Sequence, residues 1–306
     1  MGRALRAAIL AASVGVVGCR GELRAPPEEG GVALCGSAPA VIDRRTEAGS
    51  IDAFPAGSPW PAVIAATALI VDADRLVTNG RSVELQGIPV GLCEDERFAR
   101  QEALGPDVCS GFLVAPDRIA TAGHCAPDET QRNARRVVFG LVATEDGQLP
   151  SSIDISHVYR ISAVAERRDD AAQDLAVLIL DRSVPMAMAL PLPIASSSPH
   201  VGQPVSMVGY PAGMPAKIDA CMDPGRSDCL PARVASVSAT WFWSDLQAFG
   251  GNSGSPVLDA NQDVLGVLSS GETQYCVDPE LFCLRVRASG ASIEKATRVD
   301  GRSWMP

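Results

Sequence analysis

From about residue 60 onward the chain is a succession of short runs rich in apolar and β-branched residues, with turn residues in almost every gap. Runs at 62–71, 110–114, 119–122, 136–143, 153–164 and 174–180 precede a proline-rich connection at 185–200. Runs at 204–208, 232–240, 241–246, 256–258, 264–269 and 281–288 follow it. Many short strands separated by turn chemistry, such as Ala115-Pro116-Asp117 and Asp259 to Asp263, argue for an all-β sandwich or barrel. Only residues 292–298 read as one or two helical turns. The break at 185–200 divides the strands into two sets, and a ligand site is expected in the cleft where the two halves meet.

The residues with chemical potential fall on both sides of that break. Thr121-Ala122-Gly123-His124-Cys125 sets one of only three histidines in a small-residue corner. Gly250-Gly251-Asn252-Ser253-Gly254-Ser255-Pro256 sets a serine in a glycine-rich turn, where backbone N–H groups can converge on an oxyanion. A nucleophilic serine needs a base, and the base needs a carboxylate to orient it. Asp174 is the best candidate, because it opens the buried-strand run Asp174-Leu-Ala-Val-Leu-Ile-Leu180 and an acid there must find a hydrogen-bond partner. Asp169 and Asp170 read as a solvated turn after Arg167 and Arg168, and Asp181 lies at the opposite end of the run. His157, alternating with Ile155 and Tyr159, reads as a strand residue, and His200 as a solvated connector residue. Asp259 to Asp263 lacks the glycine and glutamate of a calcium loop and reads as a hairpin turn. Trp241, Phe242 and Trp243 read equally as a ligand surface or as alternating core and surface positions.

The order His124, Asp174, Ser253, with these motifs around them, resembles the trypsin/chymotrypsin-fold serine endopeptidases, closest to their bacterial glutamyl-endopeptidase-like branch. The segment Cys109 to Cys125 carries that likeness nearly end to end, and the resemblance spans roughly residues 60 to 295. It implies two six-stranded antiparallel β-barrels with the active site in the cleft between them, residues 51–190 forming the first and 191–306 the second. It implies Ser253 as nucleophile, His124 as base, Asp174 as orienting acid, and the Gly251 and Ser253 N–H groups as oxyanion hole. It places Gln247 and Ala248 at the base of the primary substrate pocket and Leu268, Ser269, Ser270 and Gly271 along one wall. Trypsin-like enzymes carry an acid where this chain has Gln247; the glutamyl branch carries a histidine where it has Leu268. With neither, an uncharged substrate side chain is expected. Asn252 replaces the aspartate that pairs with a newly cut N-terminal ammonium in trypsin-like zymogens, so activation by cleavage before Val41 or Ile42 is not expected.

A formal charge of −10 and a pI near 4.8 argue against a nucleic-acid partner. Arg3 and Arg6 precede a short apolar stretch, the layout of a secretory signal over residues 1–18. It ends Val16-Val17-Gly18-Cys19, which resembles a bacterial lipobox, so Cys19 is the expected lipid acceptor and residues 19–50, rich in Pro, Glu and Gly, a flexible tether. Removing Cys19 from nine cysteines leaves eight that can pair. Cys109–Cys125, implied by the resemblance, would pin the His124 loop. Cys221–Cys229 and Cys276–Cys283 read as local clips, leaving Cys35–Cys93, although eight cysteines allow about a hundred connectivities. Zinc fits poorly, since no Cys-x-x-Cys occurs, and no cofactor is expected. These readings lead to a monomeric serine endopeptidase acting on proteins or peptides, secreted or in the bacterial cell envelope, with an outer-membrane lipid tether as a candidate anchor. The alternative is a protease-fold binding module of the envelope that no longer cuts.

Overall fold

The computed structural model describes residues 34–35, 46–47, 54, 57–221, 231–271, 275–286 and 294–300. The expected signal peptide, Cys19 and most of the tether lie outside the described residues. Twelve strands close two barrels, assisted by a thirteenth.

The first barrel comprises β1 (Thr67–Asp72), β2 (Cys109–Ala115), β3 (Arg118–Thr121), β4 (Arg135–Phe139), β5 (Val158–Asp169) and β6 (Asp174–Leu180). They close antiparallel in the order β1-β2-β3-β6-β5-β4. Leu69, Phe112, Leu113, Ile119, Val137, Phe139, Leu175 and Leu178 fill its interior with essentially no exposure. Burying each such side chain contributes about 1.5–3 kcal/mol, so the strand ends are fixed by a packed core.

The second barrel comprises β7 (Pro204–Gly209), β8 (Lys217–Asp219), β9 (Ala232–Val237), β10 (Trp241–Ser244), β11 (Pro256–Leu258), β12 (Val264–Ser270) and β13 (Glu294–Arg298). Its six-strand ring runs β7-β9-β10-β13-β12-β11 and closes through Ser206↔Leu258 and Met207↔Val257. The first half of β7 pairs with β9 and its second half with β8, so β8 and β9 act as two halves of one strand position. Thr46–Glu47 pairs with the outer edge of β8.

Three readings are corrected. The run at 62–71 is not one strand, because residues Trp60–Ala66 form a helix, α1, with Pro61 in its first turn. Proline fixes φ for a helix start, and Trp60, Val63 and Ile64 share one buried face at helical spacing. Thr67 ends the helix, its hydroxyl donating to Val63 O at 2.8 Å, and begins β1. Of the expected turns at 292–298, the described residues 294–298 are strand; β13 fills the gap between β10 and β12, whose backbone groups would otherwise lack partners. Residues Ile155–His157 form a 3-10 turn, so His157 is not on a strand; its Nδ1 lies 3.1 Å from Phe139 O.

The long insertion between β1 and β2 was not anticipated. Leu76–Asn79 and Ser82–Leu85 pair there, and Ser152–Asp154 adds a third strand. Between β12 and β13, Tyr275–Val277 pairs with Leu284–Val286 as a hairpin clamped on both edges. Leu34 bridges to Val277 on one edge, with Cys35 bonded to Cys276. Leu92 bridges to Leu284 on the other, with Cys93 bonded to Cys283. This corrects the Cys276–Cys283 and Cys35–Cys93 assignments. The hairpin register sets Cys276 against Arg285, so Cys276 and Cys283 do not face each other. Cys35 and Cys93 lie beyond opposite edges. Cys109–Cys125 is present, with Cα atoms 6.1 Å apart. Cys221 is disulfide-bonded, while Cys229 lies outside the described residues. No helix among the described residues is long and apolar enough to cross a membrane.

Candidate active site

His124 lies in the 3-10 turn Gly123–Cys125 directly after β3, and Asp174 is the first residue of β6, the strand beside β3. Neighbouring strand ends thus deliver both side chains to one edge of the first barrel. His124 Nδ1 lies 2.8 Å from Asp174 Oδ2, and the His124 backbone N–H donates to Oδ1 at 2.9 Å. Asp174 is 7% exposed. Burial alone would raise its carboxyl pKa, but the bond and charge of His124, the Ser269 hydroxyl and the His124 backbone N–H outweigh it and hold the carboxyl below the usual carboxylate range. With Nδ1–H donating to this acid, Nε2 is the nitrogen left to accept a proton.

The second barrel completes the acid's surroundings. Ser269 Oγ donates to Asp174 Oδ2 at 2.5 Å. The Asp174 backbone N–H donates to Thr297 Oγ1 at 3.1 Å, and that hydroxyl donates back to Asp174 O at 2.9 Å. Two barrels are therefore joined by hydrogen bonds at the carboxylate itself. Asp169 and Asp170 are exposed, and Asp170 accepts from the Ala172 and Gln173 N–H groups of its own turn. Asp181 pairs with Arg160 on the far side.

Ser253 sits in the loop entering β11. Ser110 of β2 donates its N–H to Ser253 O at 2.7 Å and its hydroxyl to Gly251 O at 2.9 Å, fixing the loop to the first barrel. Cys125 Sγ lies 3.7 Å from the same Ser253 O, which puts the serine beside the His124 turn. Gly251 has φ +98°, and a Cβ there would collide with Tyr210 O and Ala212 N. Only glycine meets both demands. Gly250 O turns away to accept from Ala212 N–H at 2.6 Å. Among the described residues no acceptor takes the Gly251 or Ser253 N–H. Ser253 Oγ itself donates to Ser269 O at 3.4 Å; a hydrogen bond to His124 is not formed in the substrate-free chain. Such bonds are often loose before substrate arrives.

The other expected site residues take varied positions. Gln247 N–H donates to the buried Asp219 at 2.5 Å, and Ala248 is buried. Leu268 packs into the core of the second barrel with Phe242 and Ala296, while Ser270 and Gly271 lie toward the surface. Phe249 meets Tyr275 of the clamped hairpin, ring centroids 5.0 Å apart. Asn252 is 1% exposed, and its Oδ1 lacks a hydrogen-bond partner. Trp241 and Phe242 are buried and Trp243 half-buried, so the run does not alternate strictly between core and surface. Asp259 Oδ1 accepts from the Asn261 and Asp263 N–H groups, a hairpin turn. Among the described residues one His/Cys cluster has ligand-like spacing, Cys109, His124 and Cys125, and its two sulfurs are spent in a disulfide. Sequence reasoning missed Ser110 and Thr297; both are small hydroxyl residues inside strands, a pattern with no distinctive signal.

Residues 109–267, just over half the chain, match the family described as trypsin-like peptidase domain, and the chain belongs to that family. The chain is similar to a cercarial protease of Schistosoma mansoni, 30% identical over 195 residues that cover 54% of this chain and 71% of the relative. It is also similar to a peroxisomal leader peptide-processing protease of Mus musculus, 27% identical over 163 residues, 53% of this chain and 25% of the relative. The chain thus spans a quarter of the length of one curated relative and nearly three quarters of the other. Among solved structures, a Glu endopeptidase matches with a TM-score of 0.48 and 17% identity, covering 86% of this chain and 94% of that one.

Proposed function

We propose that the chain is a serine endopeptidase working through His124, Asp174 and Ser253. The observation that carries this reading is the His124–Asp174 pair at 2.8 Å, with the Ser253 carbonyl 3.7 Å from the sulfur of the adjacent Cys125. The Ser253 Oγ–H bond breaks as Oγ bonds to the substrate carbonyl carbon, and the proton passes to His124 Nε2. Asp174 holds the tautomer and stabilises the imidazolium. The carbonyl oxygen, now negative, is held by the Gly251 and Ser253 N–H groups. His124 returns the proton to the departing amine as the C–N bond breaks, leaving an acyl-enzyme. Water, deprotonated by His124, then cleaves the ester and restores Ser253. Each oxyanion donor is worth roughly 100- to 1000-fold in turnover.

The disulfides support an oxidising, extracellular setting. Secretion through residues 1–18, lipidation of Cys19 and a monomeric state belong to the same reading; mass spectrometry of the mature N-terminus checks the first two. The activity itself is tested with a fluorophosphonate probe. The native protein should label covalently and the Ser253→Ala variant should not. Labelling that survives the substitution, or never occurs, removes the enzyme reading and leaves a binding module.

A further inference from the structure

The two segments flanking Ser253 come from strands on either side of β13. Residues 245–251 leave β10 and run into the serine loop. The end of β12 is tied to that loop by Gly254 N–H to Leu268 O at 2.7 Å and by Ser253 Oγ to Ser269 O. Between β10 and β12 lies β13, and its first residue is Glu294, directly opposite Ser244 of β10. On the other side its carboxylate presses against Gly271, where any Cβ would collide with it. A side chain entering beside Ser253 between these two segments therefore ends on Glu294. Phe249 and Tyr275 bridge the segments on their outer side.

We infer that Glu294 is the specificity-determining residue of this pocket and selects substrates with a cationic side chain, lysine or arginine, on the acyl side of the cut bond. The inference rests on the endopeptidase reading above. Glu294 is 1% exposed, on the same strand face as the buried Ala296. Burying a carboxylate costs several kcal/mol unless it is paired or hydrogen-bonded, so a glutamate is an expensive choice where an apolar residue would serve the core. Glu294 already has a polar or electrostatic partner in the free chain, and a substrate cation would join or displace it. Beside it, Ser244 Oγ is buried with no hydrogen-bond partner, a second polar atom able to receive a donor at the pocket floor. Glycine at 271 leaves room for the carboxylate to reach that wall, where any side chain would displace it. Gln247 and Leu268 alone suggested an uncharged substrate residue; Glu294 supplies the missing charge from the opposite strand.

Two measurements test this. Native enzyme is assayed on four fluorogenic peptide amides that differ only in the acyl-side residue: Lys, Arg, Leu or Glu. At least one cationic substrate should exceed Leu and Glu by about tenfold or more in kcat/KM. In Glu294→Gln that advantage should fall by about tenfold or more, with Leu cleavage held within a few-fold. Separately, p-aminobenzamidine binding to the Ser253→Ala protein is followed by fluorescence, and adding Glu294→Gln should weaken it by a similar factor. A native preference for Leu or Glu, needing no variant, overturns the inference, as does an equal loss on all four substrates in Glu294→Gln. Failure of fluorophosphonate labelling would instead remove the enzyme reading, while amidine binding would still report on Glu294.

Discussion

The two barrels contribute to the site by different physical means. The first supplies side chains, His124 and Asp174, fixed at neighbouring strand ends and coupled through one short hydrogen bond. The second supplies a backbone loop that only glycine fits at 251, together with Ser253, Ser269 and Thr297. A carboxylate held by an imidazole and a hydroxyl thus lies on one side, and a backbone turn that only glycine fits on the other. The difference teaches where each half is vulnerable: the first to loss of a functional group, the second to any atom that disturbs a backbone turn.

That contrast can be broken in order of expected effect. Asp174→Asn keeps the shape but reverses the hydrogen bond to Nδ1, and kcat should fall by about 10⁴-fold with little change in thermal stability. Retention of full activity would show that the acid is not needed to set the tautomer. Gly251→Ala leaves every side chain of the triad in place, yet its Cβ meets Tyr210 O and Ala212 N. Turnover on a peptide amide should drop roughly 100- to 1000-fold, and unchanged kcat would remove the backbone half of the comparison.

Ser269→Ala reaches the first barrel's acid from the second. It should lower kcat/KM by roughly tenfold or somewhat more, the worth of a hydrogen bond to a charged group. It also has a pH signature. Because the Asp174 pKa is depressed in the folded chain, its ionised form stabilises the fold above the ordinary carboxylate pKa, and that contribution is lost as pH falls through the lower folded value. Removing a donor raises the folded value, so the variant should be less stable than native near neutral pH, and the two should converge as pH falls through the native folded value. Urea titrations across the acid range would show it, and coincident curves would mean Ser269 does not hold the carboxylate.

The smallest catalytic effect is expected farthest from the triad. Replacing Cys35 and Cys276 by serine frees one edge of the hairpin, and about 2–4 kcal/mol of stability should be lost. Fluorophosphonate labelling below the melting temperature should stay within a few-fold of native. A collapse in labelling instead would tie that hairpin directly to the chemistry.

Legibility in the sequence followed the same divide. The run 174–180 is β6 unchanged, and 256–258 is β11 unchanged, because buried strands with turn residues at both ends carry their limits in composition. The catalytic candidates were readable because their motifs are local. What failed was non-local. The stretch 62–71 is apolar throughout, so its helical and strand portions are told apart only by what they pack on. Glu294 reads as one charge in a polar tail until β10 and β12 enclose it. Ser269 was assigned to a pocket wall, but its hydroxyl is spent on Asp174, a partner 95 residues away. The cysteine pairs were misassigned by proximity in the chain, whereas Cys35 and Cys276 are separated by 241 residues.

That last bond has a consequence for release. A peptide-bond cut anywhere between Cys35 and α1 leaves the upstream portion of the polypeptide covalently fastened to the catalytic body through Cys276. Nicking there yields a two-chain molecule, not a freed enzyme. Liberation would take a thiol as well as a blade.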